Sequence, residues 1–161
     1  MTIRPSTEED WQILKSIRLA ALLDSPSAFG LSHAIAAAYS ELQWRDRASN
    51  KTQPQFLLAL EHDIAVGLIG DTINPDHEYN LIAMWVRPEY RGSGIAARLV
   101  DAVKARALAK GYKRVVLSVS PDNLPAANFY RRQGFIFLSE WETLNSHPGI
   151  DVQKMEWQAT P

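Results

Sequence analysis

Apolar positions recur along this chain with two periods, and the alternation between them predicts the elements. Thr2 to Arg4 fits a short strand. Ser6-Thr7-Glu8-Glu9 has the S-x-x-E spacing of a capping box and opens a helix. Trp11, Leu14, Ile17 and Ala21 then fall three and four apart, as one buried helix face requires, until Asp24-Ser25-Pro26-Ser27 stops it. A second helical stretch puts Ile35, Ala38, Tyr39 and Leu42 on one face, with Ser40 and Gln43 as a cap at which it breaks and restarts. Phe56 to Leu60 and Ile64 to Ile69 flank Glu61-His62-Asp63 as a hairpin, and Leu81 to Val86 is a third apolar run. A long helix follows from about Gly92 to Lys110, with Ile95, Leu99, Val103 and Ala107 at successive fourth positions and Gly111 as its stop. Val115 to Ser120 is a β-branched strand, and Leu124 to Arg132 is a short helix ended by Gly134. Phe135 to Trp141 and Asp151 to Trp157 are closing strands. The pattern is α+β, expected as one domain over residues 1–161. Residues 81–120 form its one clean strand–helix–strand crossover, which predicts a parallel pair.

Composition narrows the chemistry. With 46% hydrophobic and 22% charged residues the chain is globular in type. It has no cysteine, which excludes disulfides, thiolate metal sites and a cysteine nucleophile, and fits a reducing compartment. The N-terminus turns acidic at Glu8, Glu9 and Asp10 instead of leading into a secretory apolar stretch. The longest apolar run, Ile64 to Gly70, is far short of the ~20 residues that span a bilayer. A soluble cytoplasmic protein with no membrane partner is the default expectation. His33, His62, His77 and His147 are scattered without metal-ligand spacing, so they are expected on the surface and no metal is expected.

The net charge of −1 conceals a division. Residues 87–132 hold ten Lys/Arg and three Asp/Glu, a balance of +7, whereas the rest holds seven and fifteen, a balance of −8. A nucleic-acid binder would be basic overall, so no nucleic-acid partner is expected. A small anion held by the basic segment fits better.

That segment contains Arg87-Pro88-Glu89-Tyr90-Arg91-Gly92-Ser93-Gly94-Ile95-Ala96-Ala97-Arg98. A strand feeds a glycine turn, which feeds a helix N-terminus whose first N–H groups lack partners and whose dipole is positive. Gly92 and Gly94 let a phosphate approach the backbone, and Arg87, Arg91 and Arg98 add charge. Gly92 to Ala97 also satisfies the dinucleotide G-x-G-x-x-G/A pattern, with Asp122 beyond the next strand. Against that reading, Arg87 to Arg91 separate the glycines from their strand, and only 39 residues follow Asp122, too few for a second βαβαβ half.

Arg91-Gly92-Ser93-Gly94-Ile95-Ala96 instead resembles the acyl-CoA-binding Q/R-x-x-G-x-G/A motif of the GNAT superfamily of N-acetyltransferases. A second family pattern, Asn-x-x-Ala-x-x-x-Tyr followed by Gly-Phe, stands here as Asn123, Ala126, Tyr130, Gly134 and Phe135. The two lie in family order across residues 81–137. The resemblance implies a mixed, mostly antiparallel central sheet of six or seven strands with about four helices. Its parallel strand pair would splay at the cofactor site. Acetyl-CoA is implied as cosubstrate. Arg91, Gly92, Ser93, Gly94, Ile95 and Ala96 would wrap its pyrophosphate, while Trp85 and Val86 would border the pantetheine arm. Asn123 would bond or shape that channel, and Tyr130 would sit near the thioester sulfur as the catalytic residue. A backbone N–H on the Leu81–Val86 strand would steady the oxyanion.

The implied reaction is direct attack by a primary amine, with no acyl-enzyme. A lysine-like amine costs about 4–5 kcal/mol to neutralise at pH 7, so a base or water chain matters. Positions where some relatives carry a glutamate are Asn80 and Ser118 here, and neither is a base. Glu78, two residues before Asn80, reads more readily as a solvated loop acid, with a water wire as the fallback. Acceptor recognition would fall to Pro26 to Leu31 with Phe29, to Trp44, and to Trp141 to Pro148. The acceptor is a small-molecule amine or a protein amino group, and a homodimer stays open. A non-catalytic acyl-CoA sensor and a dinucleotide-dependent oxidoreductase are the alternatives.

Overall fold

The computed structural model describes residues 1–160. Seven strands form one sheet: β1 (Thr2–Pro5), β2 (Gln55–Glu61), β3 (Ile64–Ile73), β4 (Tyr79–Val86), β5 (Arg114–Val119), β6 (Ile136–Thr143) and β7 (Asp151–Gln158). The spatial order is β1-β2-β3-β4-β5-β7-β6. Every neighbouring pair is antiparallel except β4 and β5. A single parallel pair leaves no room for the two βαβαβ halves of a dinucleotide fold among the described residues.

The helices are α1 (Trp11–Asp24), α2 (His33–Ala37), α3 (Glu41–Ala48), α4 (Ile95–Ala109) and α5 (Leu124–Arg132). That makes five among the described residues, in line with about four expected plus the break expected in the second stretch. The Ser40 hydroxyl accepts from Gln43 N–H at 3.2 Å, and Gln43 Oε1 accepts from Ser40 N–H at 2.8 Å, so α3 starts afresh there. The expected single face is corrected. Ile35 and Leu42 point outward, and Ala36, Trp44 and Ala48 are the buried residues. The capping box lies one residue later than the S-x-x-E spacing suggests, on a 3-10 turn (Glu8–Asp10) that leads into α1: Thr7 N–H donates to Asp10 Oδ2 at 2.8 Å. Asp10, held also by both terminal nitrogens of Arg4, is buried and more firmly placed than Glu9.

Both sheet faces are covered, which explains the unbroken apolar run of β2. Leu57 and Ala59 face α4, while Phe56, Leu58 and Leu60 face α1 and α3. On β3, Gly67 has no side chain where a Cβ would come within 3.0 Å of Leu99 and 3.1 Å of Ile95. The first turns of α4 therefore settle directly on the sheet, and this fixes the position of the helix N-terminus. No helix among the described residues is long and apolar enough to cross a membrane.

Candidate active site

The parallel pair is short. β4 and β5 are paired at Tyr79 with Val115 and Asn80 with Val116, and there the ladder ends. Beyond that point Leu81 to Val86 and Leu117 to Val119 line the two sides of a cavity of about 330 Å³, closed at one end by Asn123, Ala126 and Tyr130. The separation is aided by a bulge. Leu68 on β3 pairs with Trp85 and Gly70 with Ile82, so Ala83 and Met84 together oppose Ile69. Ala83 has φ of 58°, a left-handed conformation that costs an alanine roughly 1–2 kcal/mol. The bulge takes backbone groups out of the ladder where β4 borders the cavity.

At the other end lies the loop Arg87–Gly94. Gly92 and Gly94 adopt φ of 80° and 85°, and nothing stands within 4 Å of where their Cβ atoms would be. Gly94 is the N-cap of α4, so the unpaired N–H groups of that helix open beside an exposed glycine turn. Ser93 turns its hydroxyl to the Tyr90 carbonyl, which leaves its backbone as the part free to face a ligand. Ile95 is buried in the core and can contribute only its backbone, whereas Ala96 lines the cavity. Arg91 lines it too, with Nε donating to the Val86 carbonyl at 3.0 Å.

Asp24, at the end of α1, is the residue that sequence reading missed. It accepts from Trp85 Nε1 at 3.0 Å and from Arg91 Nη2 at 2.9 Å. Those two bonds, Trp85 first, hold its carboxyl below the usual range. It appears in the sequence only as part of a helix stop, so no local signal marks it.

Asn123 caps α5, its side-chain oxygen accepting from Ala126 N–H at 3.4 Å, and so its amide nitrogen remains a donor. Tyr130 packs edge-on against Phe129 and Phe135. Its hydroxyl has no protein hydrogen bond among the described residues, and burial pushes its pKa above the ordinary phenol value. The group is therefore a protonated donor on the cavity wall.

A second cavity, of about 670 Å³, adjoins the first through Phe29, Leu81, Ile82, Ala83 and Ser118, which line both. Phe29, Leu31, Trp141 and Leu144, from the segments to which acceptor recognition was assigned, border it. The Ser146 hydroxyl donates to the Phe29 carbonyl at 2.5 Å and fastens the β6–β7 loop to this wall. Trp44 does not line it: it lies in the core with residues of α1, edge-on to Tyr39. Glu78 is not the solvated acid expected. Burial raises its pKa, but bonds from Lys154, Asn74 and Arg114 outweigh that and bring it to about 2. It is a clamped anion and a poor base. Arg114 also engages Glu156, and Arg106 engages Asp71 at 2.8 Å. Part of the +7 of residues 87–132 is thus consumed internally.

The profile of the Acetyltransferase (GNAT) family matches residues 19–135. The chain belongs to the GNAT acetyltransferase family. Among curated relatives, mycothiol acetyltransferase of Saccharopolyspora erythraea is 31% identical over 104 residues, covering 64% of this chain and 33% of the relative. L-2,4-diaminobutyric acid acetyltransferase of Halomonas elongata is 27% identical, covering 98% of this chain and 75% of the relative. This GNAT chain spans 33% and 40% of the length of the two mycothiol acetyltransferases it matches. Its fold is shared by a GNAT-family acetyltransferase of Streptococcus pneumoniae, with a TM-score of 0.79 at 20% identity and 99% coverage of both chains. The yncA protein of Salmonella typhimurium, solved with its cofactor acetyl-CoA, has a TM-score of 0.75 at 16% identity, covering 100% of this chain and 95% of its own.

Proposed function

We propose that this chain is an N-acetyltransferase that moves an acetyl group from acetyl-CoA to a primary amine by direct attack. The observation that carries this reading is the alignment of three features along one path. An exposed left-handed glycine turn caps α4, a gap opens where β4 leaves β5, and a buried tyrosine whose hydroxyl has no protein partner among the described residues lines that gap.

These residues fit acetyl-CoA. A Cβ at Gly92 or Gly94 would project into the open side of the turn, which suits close approach of a pyrophosphate. Arg91 to Ala96 would hold the pyrophosphate, chiefly by backbone N–H groups. Trp85 and Val86 would present strand backbone to the pantetheine, and the Asn123 amide nitrogen would donate to it. When bound, acetyl-CoA supplies an acetyl group activated as a thioester.

The protein's part is orientation and proton handling. A backbone N–H from the bulge at Ala83 and Met84 stabilises charge that develops on the acetyl oxygen. Tyr130 Oη donates a hydrogen bond to the departing sulfur. An ordinary phenol near ~10 is already a weaker acid than a thiol near ~8.5, and burial widens that gap. Tyr130 thus acts as a donor that keeps most of its proton until late in the step. Glu78 is clamped as an anion, so the amine proton leaves through water in the larger cavity. The Glu142 carboxylate, which accepts from Ser118 Oγ at 3.0 Å, sits on the wall where that water would deliver it.

Thermal stabilisation by acetyl-CoA but not by NAD(P) tests the cofactor, and thiol release with a panel of amines tests turnover. Stabilisation by NAD(P) alone overturns the reading. Binding of acetyl-CoA with no thiol release for any amine reduces it to that of a sensor.

A further inference from the structure

Four polar or charged residues are buried in this protein: Ser6, Asp10, Arg18 and Asp71. Three are fully accounted for. Ser6 bonds the Ala48 carbonyl, Asp10 receives Arg4, and Asp71 receives Tyr79 and Arg106. Arg18 differs. It is 9% exposed, and none of its guanidinium nitrogens bonds a protein group among the described residues. No acid pairs with it, and burial alone brings its pKa down to about 10, still charged at neutral pH. Its guanidinium stacks on Phe29 at 5.2 Å. That contact holds the guanidinium against the ring, and its Nη1 is buried without a partner among the described residues.

Arg18 lies on the wall of the 670 Å³ cavity, and Phe29 beneath it lines both cavities. The same cavity is also lined by Asp76, Glu140 and Glu142, with Lys154 Nζ 3.4 Å from Glu140. A buried, unpaired cation is costly unless something completes it, and a guanidinium is best completed by a planar two-oxygen anion. We propose that the acceptor carries a carboxylate, received by Arg18, so that the substrate class is a small amino acid rather than a simple amine. This rests on the acetyltransferase reading above. These acids then suit the cationic end of the same molecule, and the cavity is of ordinary ligand size.

The test compares matched acceptors at fixed acetyl-CoA: a diamino acid, and the diamine left by formally removing its carboxyl group. The wild type should prefer the diamino acid by about 10- to 100-fold in kcat/KM, the range for a charge-assisted bond. Arg18→Met should bring that ratio close to one. Equal rates in the wild type, or a ratio that survives Arg18→Met, overturn the proposal. A measurement on the wild type alone guards against a variant that does not fold. The N-acetylated amino acid should raise the melting temperature, and its methylamide should not. Equal shifts from both, no shift from either, or an equal shift from inorganic phosphate overturn the carboxylate assignment. These melting shifts need no turnover, so they remain decisive even if no amine releases thiol and the acetyltransferase reading itself fails.

Discussion

The two cavities share a wall at Leu81 to Ala83 yet are built in opposite ways. The smaller one is bounded mostly by one continuous segment, residues 81–130, and offers backbone, mostly apolar side chains, the hydroxyls of Ser25, Ser118 and Tyr130, the Asn123 amide and one cation, Arg91. The larger one gathers residues from α1, the loop after it, β4, β5, β6 and β7, and offers charges of both signs. The difference follows from what each would hold. A long, invariant cosubstrate is gripped through backbone N–H groups, whose positions depend on the chain path more than on side-chain identity. An acceptor must be distinguished from others, and that requires side chains placed by long-range packing.

Tyr130→Phe breaks the comparison hardest. If the smaller cavity holds the chemistry, thiol release should fall by about 10²- to 10⁴-fold while acetyl-CoA still stabilises the protein. An unchanged rate would remove Tyr130 from the reaction. Gly94→Asp follows. It places a carboxylate at the helix N-terminus and should weaken acetyl-CoA binding about 100-fold, because like charges brought together cost several kcal/mol. Calorimetric titration measures this, and the N-acetylated amino acid should bind as before if the two halves are separate.

Glu78→Gln tests a brace in the larger cavity. A carboxylate lowered to about 2 from 4.5 stabilises the fold fully above pH 4.5 and loses that contribution as pH falls through about 2. The substitution should flatten the dependence of stability on pH in that acid window, read by denaturant titration, and leave the shape of the pH–rate profile near neutrality unaltered. Loss of the acid-side limb of that profile would make Glu78 the base after all. Arg91→Ala should matter least. The side chain is half exposed and already paired with Asp24, so KM for acetyl-CoA should rise by about fivefold or less.

Much of this was legible before any coordinates. Arg91 to Ala96, Asn123 and Tyr130 could be placed because each motif is short in sequence and its geometry is local. A glycine turn, a helix N-cap and a seven-residue offset along one helix need no distant partner. Asp24 and Arg18 were not legible. Asp24 is 61 residues from Trp85 and 67 from Arg91. Arg18 sits between Ile17 and Leu19 on a helix whose apolar spacing gives no reason to bury a charge. Glu78 and Trp44 were misjudged for the same reason, since residue type and neighbours predict an exposed acid and a pocket aromatic. Packing made one an ion-pair brace with β5 and β7, and the other core.

The sequence by itself determined the order of elements, the parallel crossover and the glycine turn that caps α4, because periodicity, capping and glycine freedom act over a few residues at a time. Only the tertiary structure decided where β4 and β5 part, which acid tethers Arg91, and that a lone arginine faces a cavity with nothing to pair it. Those outcomes depend on which distant side chains the sheet brings together, and no local pattern encodes them.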